Sequence, residues 1–314
     1  MRCLVTGATG YIGSHLSQAL LRSGWQVTAL VRKETVSKPG FHMPAGVDIA
    51  ACDGSTSSIL AAVKKARPSI VFHLASMIYA QNRLEELQPL INSNLLFGTQ
   101  LLEAMAVSGC QYFINTGSYL QHYQGVAYNP STLYAATKQA FEAILEYYKE
   151  GCGLSAVTLC LFDTYGPRDS RPKILNYLAQ QLTSNQPLPM SPGGQMMDLL
   201  HVDDVCSAYL HTARLLMGQN TPVESNYSVA SGQLRSLRSI VELFEHLAGR
   251  SLAIEWGGLP YRPREVMIPW IAARLPGWQP EITLEVGLRQ LIDEHLKSLV
   301  RDNQIGTGHA LSNG

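Results

Sequence analysis

A chain of 314 residues is long enough for one large domain or two modest ones, and 46% hydrophobic with only 15% charged residues excludes a disordered chain. The 24 basic residues cancel the 24 acidic ones. No positive field is offered to nucleic acid or to an anionic membrane, so neither is expected as a partner.

In chain order, short apolar runs at residues 3–5, 27–31, 70–73, 112–115 and 154–161 predict strands. Helical periodicity between them predicts helices over 11–22, 57–66, 85–108 and 133–149. This alternation builds an α/β fold: a doubly wound parallel sheet of the Rossmann type, joined by right-handed crossovers. After about residue 166 the pattern changes. Prolines and glycines gather at Pro187, Pro189, Pro192, Gly193 and Gly194. Helices are predicted over 202–216, 237–248 and 283–300, and 256–278 is expected to be irregular. The expected division is a dinucleotide-binding domain over 1–166, a smaller C-terminal substrate lobe over 167–305 with segments returning to the main sheet, and a flexible tail over 306–314.

Cys3, Cys52, Cys110, Cys152, Cys160 and Cys206 are scattered, with no pair spaced as metal ligands. Free thiols in apolar runs imply a reducing compartment, and no metal is expected. The first five residues already read as a core strand, leaving no room for a targeting segment, so a cytoplasmic protein is expected.

Gly7, Ala8, Thr9, Gly10, Tyr11, Ile12 and Gly13 follow the first strand and open the first helix. Glycines there permit a tight turn and a close approach of pyrophosphate, which the helix N-terminus attracts through its unpaired N–H groups. A nicotinamide dinucleotide is therefore expected. Arg32 and Lys33 end the second strand, where an NAD site usually has an acid. Two cations there suit a 2′-phosphate and favour NADP(H) over NAD(H), although two solvated surface charges would look the same. Asp53, before Gly54, follows the third strand and is placed to bond the adenine amino group, to cap the next helix, or both.

Tyr134 and Lys138 are spaced i, i+4 on one face of a predicted helix. A lysine ammonium beside a phenol is expected to lower the phenol's pKa, so that it exchanges a proton with a carbonyl or alcohol. Ser118, leaving the strand before it, supplies a hydroxyl to orient the reacting oxygen, and Thr116 is the other candidate for that role.

Together with residues 73–76, Asn94, Gly98, Thr99, 101–104, 133–138, 161–167, 198–205 and 261–265, these segments resemble the extended short-chain dehydrogenase/reductases, the NAD-dependent epimerase/dehydratase family. The resemblance implies that Leu74, Ala75, Ser76, Asn94, Thr116 and Phe162 surround the cofactor. It implies that Ser118, Tyr134 and Lys138 catalyse, that Lys138 also holds the cofactor ribose, and that Ser118, Asp163, Arg168, Met197 and Arg262 bind the substrate. Arg262 would face a substrate diphosphate, whose oxygens a guanidinium fork matches. A homodimer pairing helices 85–108 and 133–149 is also implied.

Dehydratases of that family carry an acid pair just after the catalytic threonine, whereas Thr116 is followed by Gly117, Ser118 and Tyr119. The stretches 132–142 and 193–205 look instead like the branch that reduces CDP- or dTDP-linked 4-keto-6-deoxyhexoses, the abequose and paratose synthase group. The expectation is NADPH-dependent 4-ketoreduction of a nucleotide sugar. The alternatives are an NAD-dependent nucleotide-sugar 4-epimerase, a reductase of another carbonyl compound, and a non-enzymatic NADP(H) sensor. The retained Tyr134 and Lys138 argue against the sensor. Three positions depart from the family pattern: Met197 and Cys160 stand where arginines are usual, and Asp163 where asparagine is. An acid beside a diphosphate requires neutralisation, expected from Arg168, Arg262 or Arg264.

Overall fold

A computed structural model describes residues 1–79, 83–218 and 225–310, with side chains as far as 298. Its first half alternates β1 (Arg2–Thr6), α1 (Tyr11–Arg22), β2 (Gln26–Arg32), the short α2 (Lys33–Val36), β3 (Val47–Cys52), α3 (Thr56–Ala66) and β4 (Ile70–His73). There follow α4 (Leu87–Ile91), α5 (Phe97–Ser108), β5 (Tyr112–Ser118), α6 (Leu133–Cys152) and β6 (Ser155–Leu161). The second half contains β7 (Asp163–Tyr165), α7 (Ile174–Gln181), β8 (Leu188–Met190), β9 (Met196–Met197), β10 (Leu199–His201), α8 (Val202–Met217), β11 (Asn226–Val229), β12 (Arg235–Ser236), α9 (Leu237–Ala248), β13 (Ile254–Trp256) and α10 (Leu284–Ala310).

Seven strands form one parallel sheet in the order β11-β6-β5-β4-β1-β2-β3. The order reverses between β1 and β4, and a sheet of this kind opens a crevice at the carboxyl ends of the two strands where that happens. β1 and β4 are buried on both faces, so Leu4, Val5, Ile70, Val71 and Phe72 read as apolar runs without alternation. Leu16, Leu20 and Tyr209 of α1 and α8 cover one face, and Ile59, Val63, Leu101 and Phe141 of α3, α5 and α6 cover the other. A third core, with Leu178, Ile240, Phe244 and Leu288, holds the second half together.

The sheet's edge strand β3, expected only as a strand before Asp53, shows no continuous apolar run: Asp48 interrupts it and Ile49 is exposed at the end of the sheet. The predicted helix over 85–108 is broken. A 3₁₀ turn (Leu84–Glu86) leads into α4, and a π-helical turn (Asn92–Leu96) separates α4 from α5. The cause is Asn94, only 3% exposed. Its side chain accepts from Met77 N and donates to Met77 O and Thr137 Oγ1, at 2.8 to 2.9 Å. Such widened turns are most frequent at functional sites. In the second half, β7, β8, β9, β10, β12 and β13 form two-stranded pairs of two or three residues each, too short to leave a periodic signal. The last helix passes the end expected at residue 300 and continues to Ala310, while residues 311–314 of the expected tail lie outside the described residues.

Candidate active site

The glycine segment crosses the switch point. Gly7 has φ +70°, and a Cβ on it would stand 2.7 Å from the backbone of Leu74 and Ala75 at the end of β4. One on Gly13 would stand 2.1 Å from Gly7 O. Backbone packed this closely leaves a groove that only glycine can line. Gly10 caps α1, no side chain caps the helix, and no acid lies in its first turn. The donors of its first turn, among them those of Tyr11 and Ile12, therefore suit the pyrophosphate of a dinucleotide. Thr9 beside them is exposed. Arg171, which the sequence did not single out, lays its guanidinium 4.2 Å from the Tyr11 ring centroid and pairs with Asp169 at 2.7 Å.

At the adenosine end, Arg32 is exposed and Lys33 pairs with Asp53 at 3.3 Å. The cap expected of Asp53 belongs to Ser55, whose side chain accepts from Ser58 N. Asp53 instead accepts from the Ser55 amide and hydroxyl at 3.0 and 2.6 Å, which with Lys33 holds its carboxyl well below the usual range. Gly54 follows at φ +86° with open space around it.

Ser118, Tyr134 and Lys138 converge as predicted, at 7%, 9% and 3% exposure. The capping hydroxyl of Thr132 accepts from Ala135 N and starts α6 so that Tyr134 and Lys138 share its sheet-facing side. The Ser118 and Ser76 hydroxyls both reach the Tyr134 phenol, and Ser76 in turn donates to Asn94 at 3.1 Å. Lys138 Nζ stands 6.0 Å from the Tyr134 ring centroid and donates to Thr116 O at 2.9 Å. Thr116 does not compete with Ser118, because its hydroxyl donates to His73 O at 2.7 Å and faces the Tyr209 hydroxyl at 2.6 Å. The expected acidic phenol is corrected. Burial pushes Tyr134 up to about 12, against the hydrogen bonds of Ser118 and Ser76. Burial also pulls Lys138 down to about 8. Desolvation of both groups outweighs an attraction spread over several ångströms.

Beyond Ser118 lies a group that the sequence marks only in part. The Tyr119 ring stacks on Phe162 at 5.2 Å, and its hydroxyl donates to Asp163 at 3.1 Å. Lys173 pairs with the other Asp163 oxygen at 3.1 Å. The acid at 163 is thus neutralised by Lys173, not by Arg168, Arg262 or Arg264. Arg168 instead lies beside His15, with its amide donating to Glu294 at 3.1 Å. Arg264 packs on Tyr123 and bonds Pro130 O. Arg262 is exposed, and its charge, like that of Glu265, acts on the Tyr119 hydroxyl. Met197 is partly buried in β9, directly opposite Arg235 of β12, which pairs with Glu285 at 2.9 Å. Nothing in the sequence marked Lys173, whose role depends on a chain fold that brings α7 to the end of β7.

A glycine cradle at a switch point, beside a buried tyrosine–lysine–serine group, defines a Rossmann-type enzyme that works with a nicotinamide dinucleotide. Residues 3–226 match the model of the NAD dependent epimerase/dehydratase family, and the chain belongs to that family. It is 27% identical to the CDP-abequose synthase of Salmonella muenchen, covering 93% of this chain and 97% of that one. With the CDP-abequose synthase of Yersinia pseudotuberculosis it shares 29% identity over 86% of this chain and 92% of that one. Among solved structures, the UDP-glucose 4-epimerase of Thermus thermophilus in complex with NAD superposes with a TM-score of 0.79 at 26% identity, over 94% of this chain and 99% of that one.

Proposed function

We propose that the protein reduces the 4-keto group of a nucleotide-diphosphate 4-keto-6-deoxy sugar, with NADPH preferred over NADH. The observation that carries this reading is the buried, protonated phenol of Tyr134 with the Ser118 hydroxyl beside it. A neutral phenol in that position can give its proton to a carbonyl oxygen as hydride is added to the carbon. Similarity to two CDP-abequose synthases supports the same substrate class. The bound nicotinamide supplies the hydride. Ser118 donates a hydrogen bond to the carbonyl oxygen, Tyr134 delivers the proton as negative charge develops there, and Lys138 holds the cofactor ribose and keeps positive charge beneath the phenol. Tyr119, Asp163 and Lys173 would meet the sugar and diphosphate, together with Arg262, whose charge already acts on the Tyr119 hydroxyl. Arg32 contacts the 2′-phosphate, since Lys33 is engaged by Asp53.

A 4-epimerase is the second reading, favoured by the likeness to the Thermus enzyme. The two separate in one assay. A ketoreductase consumes one NADPH per CDP- or dTDP-4-keto-6-deoxy sugar, whereas an epimerase interconverts UDP-sugars with no net change in NADH or NADPH. Failure to oxidise NADPH with any of these keto sugars would remove the first reading. We further propose a homodimer through α5 and α6, where Val107 and Tyr147 are 55% and 67% exposed. Light scattering at twice the chain's mass is the expected result.

A further inference from the structure

Beneath the reacting group lies a polar chain, running from a buried amide to the surface, with no part in the chemistry above. Gln121 is 1% exposed. Its side-chain oxygen accepts from Ser118 N at 2.8 Å, and its side-chain nitrogen donates to Glu142 Oε1 at 2.9 Å. The other Glu142 oxygen accepts from Asn226 Nδ2 at 3.2 Å, at the start of β11. Glu142 stands one helical turn after Lys138 on α6, and Lys138 one turn after Tyr134, so the three are stacked along one face. Glycine at 117 leaves room for this chain: a Cβ there would come within 3.2 Å of Gln121 Oε1 and 3.3 Å of Glu142 Oε1.

Resting on the reading of Ser118, Tyr134 and Lys138 as the reacting group, we propose that Glu142 is their positioning residue. Through Gln121 its carboxylate anchors the Ser118 backbone, and from one helical turn beyond Lys138 its negative charge acts on that buried ammonium. A carboxylate accepting two side-chain hydrogen bonds is stabilised as an anion even where burial opposes it. Burial raises Glu142, while Gln121, Asn226 and Lys138 hold it down. Glu142 is in turn the anion that acts on Lys138. The other titratable groups packed around the pair are Tyr134 on α6, His73 on β4 and Cys160 on β6. Burial keeps all three neutral: Tyr134 is pushed up to about 12, His73 is pulled down to about 3 and Cys160 is pushed up. None of them offers Lys138 a second counter-charge.

Glu142→Gln separates charge from shape, because its amide oxygen can still accept from Gln121. In full-length protein labelled at lysine ¹³Cε, the titration of Lys138, assigned by its loss in Lys138→Arg, is followed by NMR without substrate. The expected midpoint in Glu142→Gln lies about one unit or more below wild type. Glu142→Asp, which keeps the anion, restores it most of the way and serves if Glu142→Gln does not fold. A midpoint unmoved by loss of the charge, to within ~0.2 units on a scale where an adjacent charge moves it by one or more, overturns the proposal. With a keto sugar that wild type reduces, Glu142→Gln should move the alkaline limb of kcat/KM to lower pH by the same amount and leave KM unchanged. A wild type that reduces none of the sugars sinks the ketoreductase reading alone, since the NMR midpoint still decides the role of Glu142.

Discussion

The glycine cradle and the Asp163 group lie at the same carboxyl edge of the strands, yet they are built by opposite means. At the cradle, backbone meets backbone: Gly7 against Leu74 and Ala75, Gly13 against Gly7, with gaps that no Cβ could enter. At the Asp163 group, exchangeable side chains meet each other: Tyr119 on Phe162, and Tyr119 and Lys173 on Asp163. A backbone site tolerates almost no substitution. A side-chain site can be rewired, since each contact, such as the Lys173–Asp163 pair, depends on two replaceable groups. Cofactor binding and substrate binding should therefore respond to mutation independently.

The largest effect tests what joins the two regions. Tyr134→Phe removes the acid from a wall shared by both, and should lower kcat by about 10²–10⁴ while leaving NADPH affinity, read by fluorescence, within about twofold. Full activity in that variant would break the mechanism. Gly13→Ala pushes a methyl group into Gly7 O; overpacking of about 1–3 kcal/mol predicts dinucleotide binding weakened roughly tenfold to a hundredfold, with binding of CDP unaffected. Equal loss of both ligands would show that the two regions are not independent.

Arg32→Asp should weaken NADPH about tenfold or more and NADH little, in line with the loss of a charge-assisted bond to phosphate. Equal changes in the two would remove the 2′-phosphate contact. On the other side, Asp163→Asn discharges the acid and frees Lys173. CDP affinity by calorimetry should rise by about threefold to tenfold, with NADPH untouched. The smallest change concerns pH. Burial lowers Lys138 from its ordinary 10.5 to about 8, so its ammonium is present below pH 8 and lost above it. Since kcat/KM reports the free enzyme, it should decline as pH rises through about 8 and stay flat below, down to about pH 6.

Much of the cofactor side was legible beforehand because its signals are local. The glycine spacing and the i, i+4 pair of Tyr134 and Lys138 each need only neighbours in sequence. Ser118 was legible because it ends a strand whose apolar run points it at the crevice. The acidity expected for Tyr134 was not, since burial, which dominates it, is set by strands and helices far away in sequence. The break of the helix over 85–108 was missed for a similar reason: Asn94 leaves helical register to satisfy Met77 and Thr137, which lie 17 and 43 residues away.

What the amino-acid order determined by itself was the doubly wound sheet, the glycine turn at its switch point and the spacing that brings Tyr134 and Lys138 onto one helical face, because period, glycine and short-range spacing encode them directly. Tertiary structure alone decided the charge state and the partners: Lys173 on Asp163, Ser55 rather than Asp53 as the cap of α3, and Glu142 beneath Lys138 through Gln121 and Asn226. Ionisation depends on desolvation and on charges brought together by the fold, and neither quantity exists until distant segments have packed.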